Sequence, residues 1–161
     1  MRIAYSIFLS VGIEQDIHQQ KFANVHHKAM VNLLFTYGWV IEKIKDFLSK
    51  EDITHQQFNI LRILRGSHPT PLSTLQIRER MLDKMSDTSR IVDRLVAKDL
   101  VQKNTCSKDK RLVDVTITEK GQKLLKALDN SSNHVEEIMG ALSEKEATQL
   151  TALLDKLRNS S

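Results

Sequence analysis

At 161 residues and 40% apolar side chains, the chain holds enough material for one domain with a real core, which excludes disorder. A single cysteine, Cys106, excludes an intrachain disulfide and a cysteine-based zinc site, and fits a reducing, cytoplasmic compartment. The formal net charge is +4 and uneven: residues 78–111 hold ten Lys or Arg against six Asp or Glu, and the remainder fourteen of each, the distribution of a polyanion-facing surface, with a merely solvated face as the competing reading.

In chain order, "MRIAYSIFLSVGI" is too short to span a bilayer. It is interrupted by Ser6, Ser10 and Gly12, and no small-x-small cleavage site precedes "EQDIHQQ". Residues 1–24 are therefore expected to form an extension that packs on a partner or stays weakly ordered, not an export signal. From His26 to Lys50, apolar residues Met30, Leu33, Leu34, Tyr37, Ile41, Ile44 and Leu48 recur at three- and four-residue spacing, which predicts a long amphipathic helix whose stripe needs a partner.

"THQQFNILRILRG" opens with a capping box, Thr54 and Gln57, and is predicted to stop at Gly66. "STLQIRERML" repeats the device with Ser73 and Gln76, burying Ile77 and Met81 while Arg78, Glu79 and Arg80 face outward. The next helix, in "SDTSRIVDRLVAKD", is expected to take Ser86 as its N-cap, to bury Ile91, Val92, Leu95 and Val96, and to offer Thr88, Ser89, Arg90, Asp93 and Arg94 on the opposite face.

"LVQKNT" and "LVDVTIT" read as two strands of a hairpin whose loop carries Lys108, Lys110 and Arg111. Thr118 is expected to cap a helix striped by Leu124, Leu125, Leu128, Val135, Ile138 and Met139, with a kink or fraying at "NSSN". Ser143 and Glu146 form a third capping box before a last helix lined by Leu150, Leu153, Leu154 and Leu157. The fold class is thus mainly α with a small β-hairpin wing. Two short helices and a thin basic hairpin suit the major groove of double-stranded DNA and its neighbouring minor groove.

The segment "SDTSRIVDRLVAKDLVQKNTCSKDKRLVDVTITEKG" resembles the winged helix-turn-helix of the MarR family of bacterial transcription regulators. The strongest match is "DKRLVDVTITEKG", with an acid-x-arginine tip, an alternating strand and a Thr-x-x-Gly helix start. Where the family often has glycine after the recognition helix, this chain has Asp99, which tolerates the left-handed conformation.

The resemblance, over about residues 25–159, implies a homodimer on a pseudo-palindromic operator: a dimerisation helix at 25–53, a DNA-binding lobe at 54–118 and C-terminal dimerisation helices at 119–161. It further implies a repressor released by a small aromatic effector lodged between dimerisation helices and lobe, for which Tyr37, Trp39 and Phe58 are the candidates. Ordinary core is the competing account of those three.

Within that frame Arg90 is assigned to a base edge and Arg94 to phosphate, with Asp93 orienting one of them. Ser86, Thr88 and Ser89 are candidate contacts. At the wing, Asp109 holds the Arg111 guanidinium for the minor groove, and Lys108 and Lys110 neutralise phosphates. Ser73 and Thr74 are candidate phosphate donors, with capping as the competing account.

No membrane association, metal or other cofactor is expected. His18, His55, His68 and His134 are scattered and His26 and His27 are adjacent, so none forms the i, i+4 pair of metal-binding helices. The absence of a Gly-rich phosphate loop, a nucleophile elbow and a convincing acid pair argues against an enzyme. Two alternatives stand: a winged-helix module that binds an acidic protein, and a regulator made redox-responsive by Cys106 beside Lys108.

Overall fold

The structure, a computed structural model, describes residues 12–105, 113–131 and 134–159. Contacts divide the chain into two units, Met1–Glu42 and Lys43–Ser161. In the first, a helical turn α1 (Ile13–Asp16) buries Ile13, and Glu14 pairs with Lys28 of the long helix α2 (Val25–Leu48). The Lys28 ammonium, chiefly by hydrogen bonding, holds the Glu14 carboxyl below the usual glutamate range. Along α2 in this unit Met30, Leu33, Leu34, Tyr37 and Trp39 are all exposed, so the predicted stripe is present and, among the described residues, uncovered.

The second unit begins within α2, where Leu48 is fully buried and Ile44 and Phe47 pack on the core. Helix α3 (His55–Ser67) starts at the expected capping box: Thr54 Oγ1 accepts from the Gln57 N–H at 3.2 Å and Gln57 Oε1 accepts from the Thr54 N–H at 3.0 Å. It does not stop at Gly66, where a Cβ would meet open space. It runs one residue further, and His68 then turns extended at ψ 136°, as a residue before proline prefers.

Helix α4 (Thr74–Arg80) repeats the capping box with Ser73 and Gln76, and buries Ile77 and Met81. A short strand β1 (Leu72–Ser73) precedes it. With β2 (Val101–Thr105) and β3 (Val113–Ile117) it forms an antiparallel sheet in the order β1-β3-β2, pairing Leu72 with Val115 and Lys103 with Val115 from either side. The expected two-stranded wing is therefore a three-stranded sheet. Two residues are too few to show a period of two, so β1 leaves no mark in the sequence.

Between them, α5 (Thr88–Ala97) buries Val92 and Leu95 completely. Its exit bears out the Asp99 expectation. Asp99 sits at φ 58°, the Leu100 N–H donates to the Leu95 carbonyl at 3.0 Å, and the Asp99 N–H donates to the Val96 carbonyl at 2.9 Å. These are the two bonds of a Schellman motif, and the buried Leu100 and Leu95 supply its apolar contact.

Helix α6 (Glu119–Ser131) is capped as expected: Thr118 Oγ1 accepts from the Gly121 N–H at 3.1 Å and its hydroxyl donates to the Asp99 carbonyl at 2.9 Å. Asp129 then receives both Arg62 and Arg65 of α3, at 2.9 and 2.6 Å. Beyond it, α7 (His134–Met139) and α8 (Glu144–Arg158) follow, the latter behind the predicted Ser143–Glu146 box. Leu150, Leu153 and Leu157 of α8 lie exposed, a second apolar stripe at the surface. Among the described residues no helix is long and apolar enough to cross a membrane.

Candidate nucleic-acid interface

Helix α5 owes its two faces to spacing. Val92 and Leu95, three apart, fill the core with Ile91 packed beside them, which turns Ser89, Arg90, Asp93 and Arg94 to solvent. Among the described residues neither arginine has an ion-pair partner. Asp93, expected to orient one of them, pairs through Oδ1 with Lys103 of β2, which ties recognition helix to sheet. Its second oxygen stays open to solvent, and among the described residues it pairs with neither Arg90 nor Arg94.

The start of α5 also differs from expectation. Its N-cap is Asp87, whose Oδ1 accepts from the Arg90 N–H at 3.2 Å. Ser86 instead donates its hydroxyl to Asp83 Oδ2 at 2.6 Å, so its donor is committed inside the turn. Aspartate and serine cap comparably well, and the adjacent pair "SD" gave no way to choose. Thr88 is only 5% exposed and points its hydroxyl at Met81 Sδ, 3.4 Å away. This removes it from the exposed face where its polarity had placed it.

The turn between α4 and α5 is pinned from several sides. The Leu82 N–H donates to Asn59 Oδ1 at 3.0 Å, and Asp83 Oδ1 accepts from the Met85 N–H at 3.0 Å. First the Ser86 hydroxyl and then the Met85 N–H hold the Asp83 carboxyl below the usual aspartate range. Its folded pKa being depressed, its contribution to the turn is present above the ordinary value of 3.8 and lost only as the pH falls through the lowered one. Asn59 and Asp83 thus set the attitude of α5, although neither stood out in the sequence; the Asp-x-x-Ser spacing of an Asx-type turn was the available signal.

On α4, Thr74 borders the same concavity as Arg78 and Ser89. Ser73 Oγ is occupied as a cap acceptor, which leaves its O–H free to donate. At the end of α5, Arg94 borders a shallow depression with Asp52, Gln57 and Lys98. Lys98 is engaged there by Asp52 at 2.8 Å, and that contact lowers the Asp52 pKa. Cys106, Lys108, Asp109, Lys110 and Arg111 lie outside the described residues; strands β2 and β3 lead to and from them.

The aromatic candidates belong to both units. Tyr37 and Trp39 are exposed in the first unit. Phe58, in the second, meets Phe47 edge-on at 6.3 Å with the Arg62 guanidinium 5.7 Å from its ring centre, a packed rim position. Among the described residues no group of three or more His, Cys, Asp or Glu could hold a metal ion.

Comparison with known proteins gives one consistent answer. The MarR family model matches residues 53–113, the span from the start of α3 into β3. A crystal structure of a MarR transcription factor from Planctomyces limnophilus is 32% identical, covers 84% of this chain and 98% of that one, and superposes with a TM-score of 0.65. The HTH-type transcriptional regulator MhqR of Bacillus subtilis (strain 168) is 25% identical over 131 residues, 81% of this chain and 89% of its own. A mutant MarR from E. coli complexed with operator DNA is 24% identical over 78% of this chain and 89% of that one, with a TM-score of 0.71; at that identity the likeness is one of fold.

Proposed function

The chain belongs to the MarR family, and on that premise we propose that it is a homodimeric transcriptional regulator, not an enzyme, that binds a pseudo-palindromic operator in double-stranded DNA and represses transcription from it. The observation that carries this reading is α5: one face is fully buried by Val92 and Leu95, while the other presents Arg90 and Arg94 without an ion pair among the described residues. Two guanidinium groups kept out of intramolecular pairs, in the segment holding all the excess positive charge, suit a polyanion.

Arg90, near the helix start, is assigned to a guanine edge in the major groove, and Arg94, a turn further on, to phosphate. Ser89 and the free hydroxyl hydrogens of Ser73 and Thr74 add phosphate contacts. The wing residues Lys108, Lys110 and Arg111, with Asp109 positioning the last, reach the adjacent minor groove. Ser86 and Thr88 act through the shape of the turn and not through contact with the duplex.

Dimerisation is supported by the exposed stripes of α2 and α8. Leu34 is 63% and Leu153 is 59% exposed, and covering such a residue contributes about 2 kcal/mol, so leaving both stripes bare is costly. Two copies would then set their α5 helices in successive major grooves, about 34 Å apart. Release by a small aromatic effector, as the family likeness implies, belongs to the same reading. Such a regulator acts in the cytoplasm, where its operator lies.

Salt titration against random duplex tests the partner. Neutralisation of phosphates by two lobes predicts a log–log slope of affinity on salt of about −5 or steeper. A flat response contradicts the reading and favours an acidic protein as the ligand.

A further inference from the structure

The turn that leads into α5 carries an apolar side chain that packing does not explain. Met85 is 90% exposed, yet its backbone is held firmly. Its own N–H is bound by Asp83 at 3.0 Å, the carbonyl of the preceding Lys84 accepts from Arg78 Nε at 3.5 Å, and three residues earlier the Leu82 N–H is bound by Asn59. A flexible thioether on a loose turn could fold back onto the core. On this turn it is presented to solvent.

The surroundings indicate what it meets. Met85 and the exposed Leu75 line one open concavity together with Thr74, Arg78, Ser86 and Ser89. An apolar spot is thus set among the Thr74 and Ser89 hydroxyls, the Arg78 guanidinium and the Asp87 carboxylate that caps α5, at the start of the segment that carries the whole excess of positive charge. An apolar protein surface would have to desolvate Arg78 to seat there, whereas a polyanion would be drawn to it. In the major groove the group that duplex DNA offers to an apolar side chain is the C5-methyl of thymine.

We infer that Met85, with Leu75 beside it, reads thymine through its methyl group, adding an apolar specificity determinant to the polar ones of α5. The inference rests on the operator-binding reading above. It concerns a contact made by the turn, ahead of the recognition helix itself.

The test uses the full chain and a duplex selected by it from a random pool. Each thymine in the selected site is exchanged for uracil, which removes the methyl group and leaves the base-pairing edge unchanged. Exchanging one thymine in a single half-site should weaken binding by roughly fourfold, the worth of one buried methyl group, and by roughly fifteenfold when both half-sites carry the exchange. Met85→Ala should bind the two duplexes alike, with a melting temperature equal to that of the parent because the side chain buries nothing.

Indifference of the parent to uracil at every position would overturn the inference. So would full thymine preference in Met85→Ala, or DNA affinity unchanged by that substitution with loss of a protein partner instead. In each of these cases duplex binding persists and the regulator reading survives. Failure of the parent to bind any duplex would remove both.

Discussion

Replacing Arg90 with alanine should lower affinity for the selected operator by between roughly thirtyfold and twenty-five-thousandfold. A bidentate arginine contact to guanine discriminates by about 1–3 kcal/mol, and a dimer loses two. The chain itself should be untouched. Arg90 is exposed and unpaired among the described residues, only its backbone N–H serves the Asp87 cap, and alanine is the better helix former.

The pattern across sequences distinguishes this from a loss of charge. Arg90→Ala should flatten the difference between operator and random duplex. Arg94→Ala should weaken both by a similar factor and make the salt slope shallower by about one unit per lobe. Arg90→Lys keeps the charge without the planar fork, so it should recover binding to random DNA and leave specificity lost. Equal affinity of Arg90→Ala and parent for the operator would show that α5 does not enter the groove as assigned.

The second large effect falls on stability, at Gly121. A Cβ there would lie 2.3 Å from the Leu100 carbonyl oxygen and 2.8 Å from Ile117 Cγ1, so this glycine is demanded by close approach and not by its backbone angles. Neither neighbour can retreat. The Leu100 carbonyl accepts the Thr118 N–H at 3.1 Å and Ile117 is buried in the sheet.

Gly121→Ala should therefore cost about 3 kcal/mol, the upper part of the usual range for overpacking, and lower the melting temperature by roughly 6–12 °C for a chain of this size. An unchanged melt would mean that α6 can shift. The same knot has a functional side. Asp99 and Leu100 end the recognition helix, Ile117 ends the wing strand, and Thr118 opens α6. A displacement of any of the three is felt by the other two.

What could be read from the chain beforehand was local. The three capping boxes span four residues each and are complete within themselves, so Thr54 with Gln57, Ser73 with Gln76, and Ser143 with Glu146 were legible before any tertiary contact was known. Asp99 was legible for the same reason, since a left-handed residue after a helix depends on its own side chain, the residue that follows and the last turn of the helix.

The N-cap of α5 and the end of α3 differ for local reasons, and the other misplacements came from contacts farther along the chain. Thr88 reads as polar and exposed until Met81 closes over it. Asp93 reads as a partner for its helical neighbours until β2 brings Lys103 alongside, and β1 exists only because β3 has an edge to fill. Polarity and spacing locate the recognition face, but which of its members remain available is decided by the packing of the turn and the sheet.

The central claim is that two copies of this chain present their α5 faces to one duplex together. Sedimentation equilibrium of the protein mixed with its selected duplex measures that directly. The account predicts two chains per duplex, on a site whose half-sites are related by a twofold axis and centred about 10 bp apart. One chain per duplex, or a bound site without that symmetry, would contradict it.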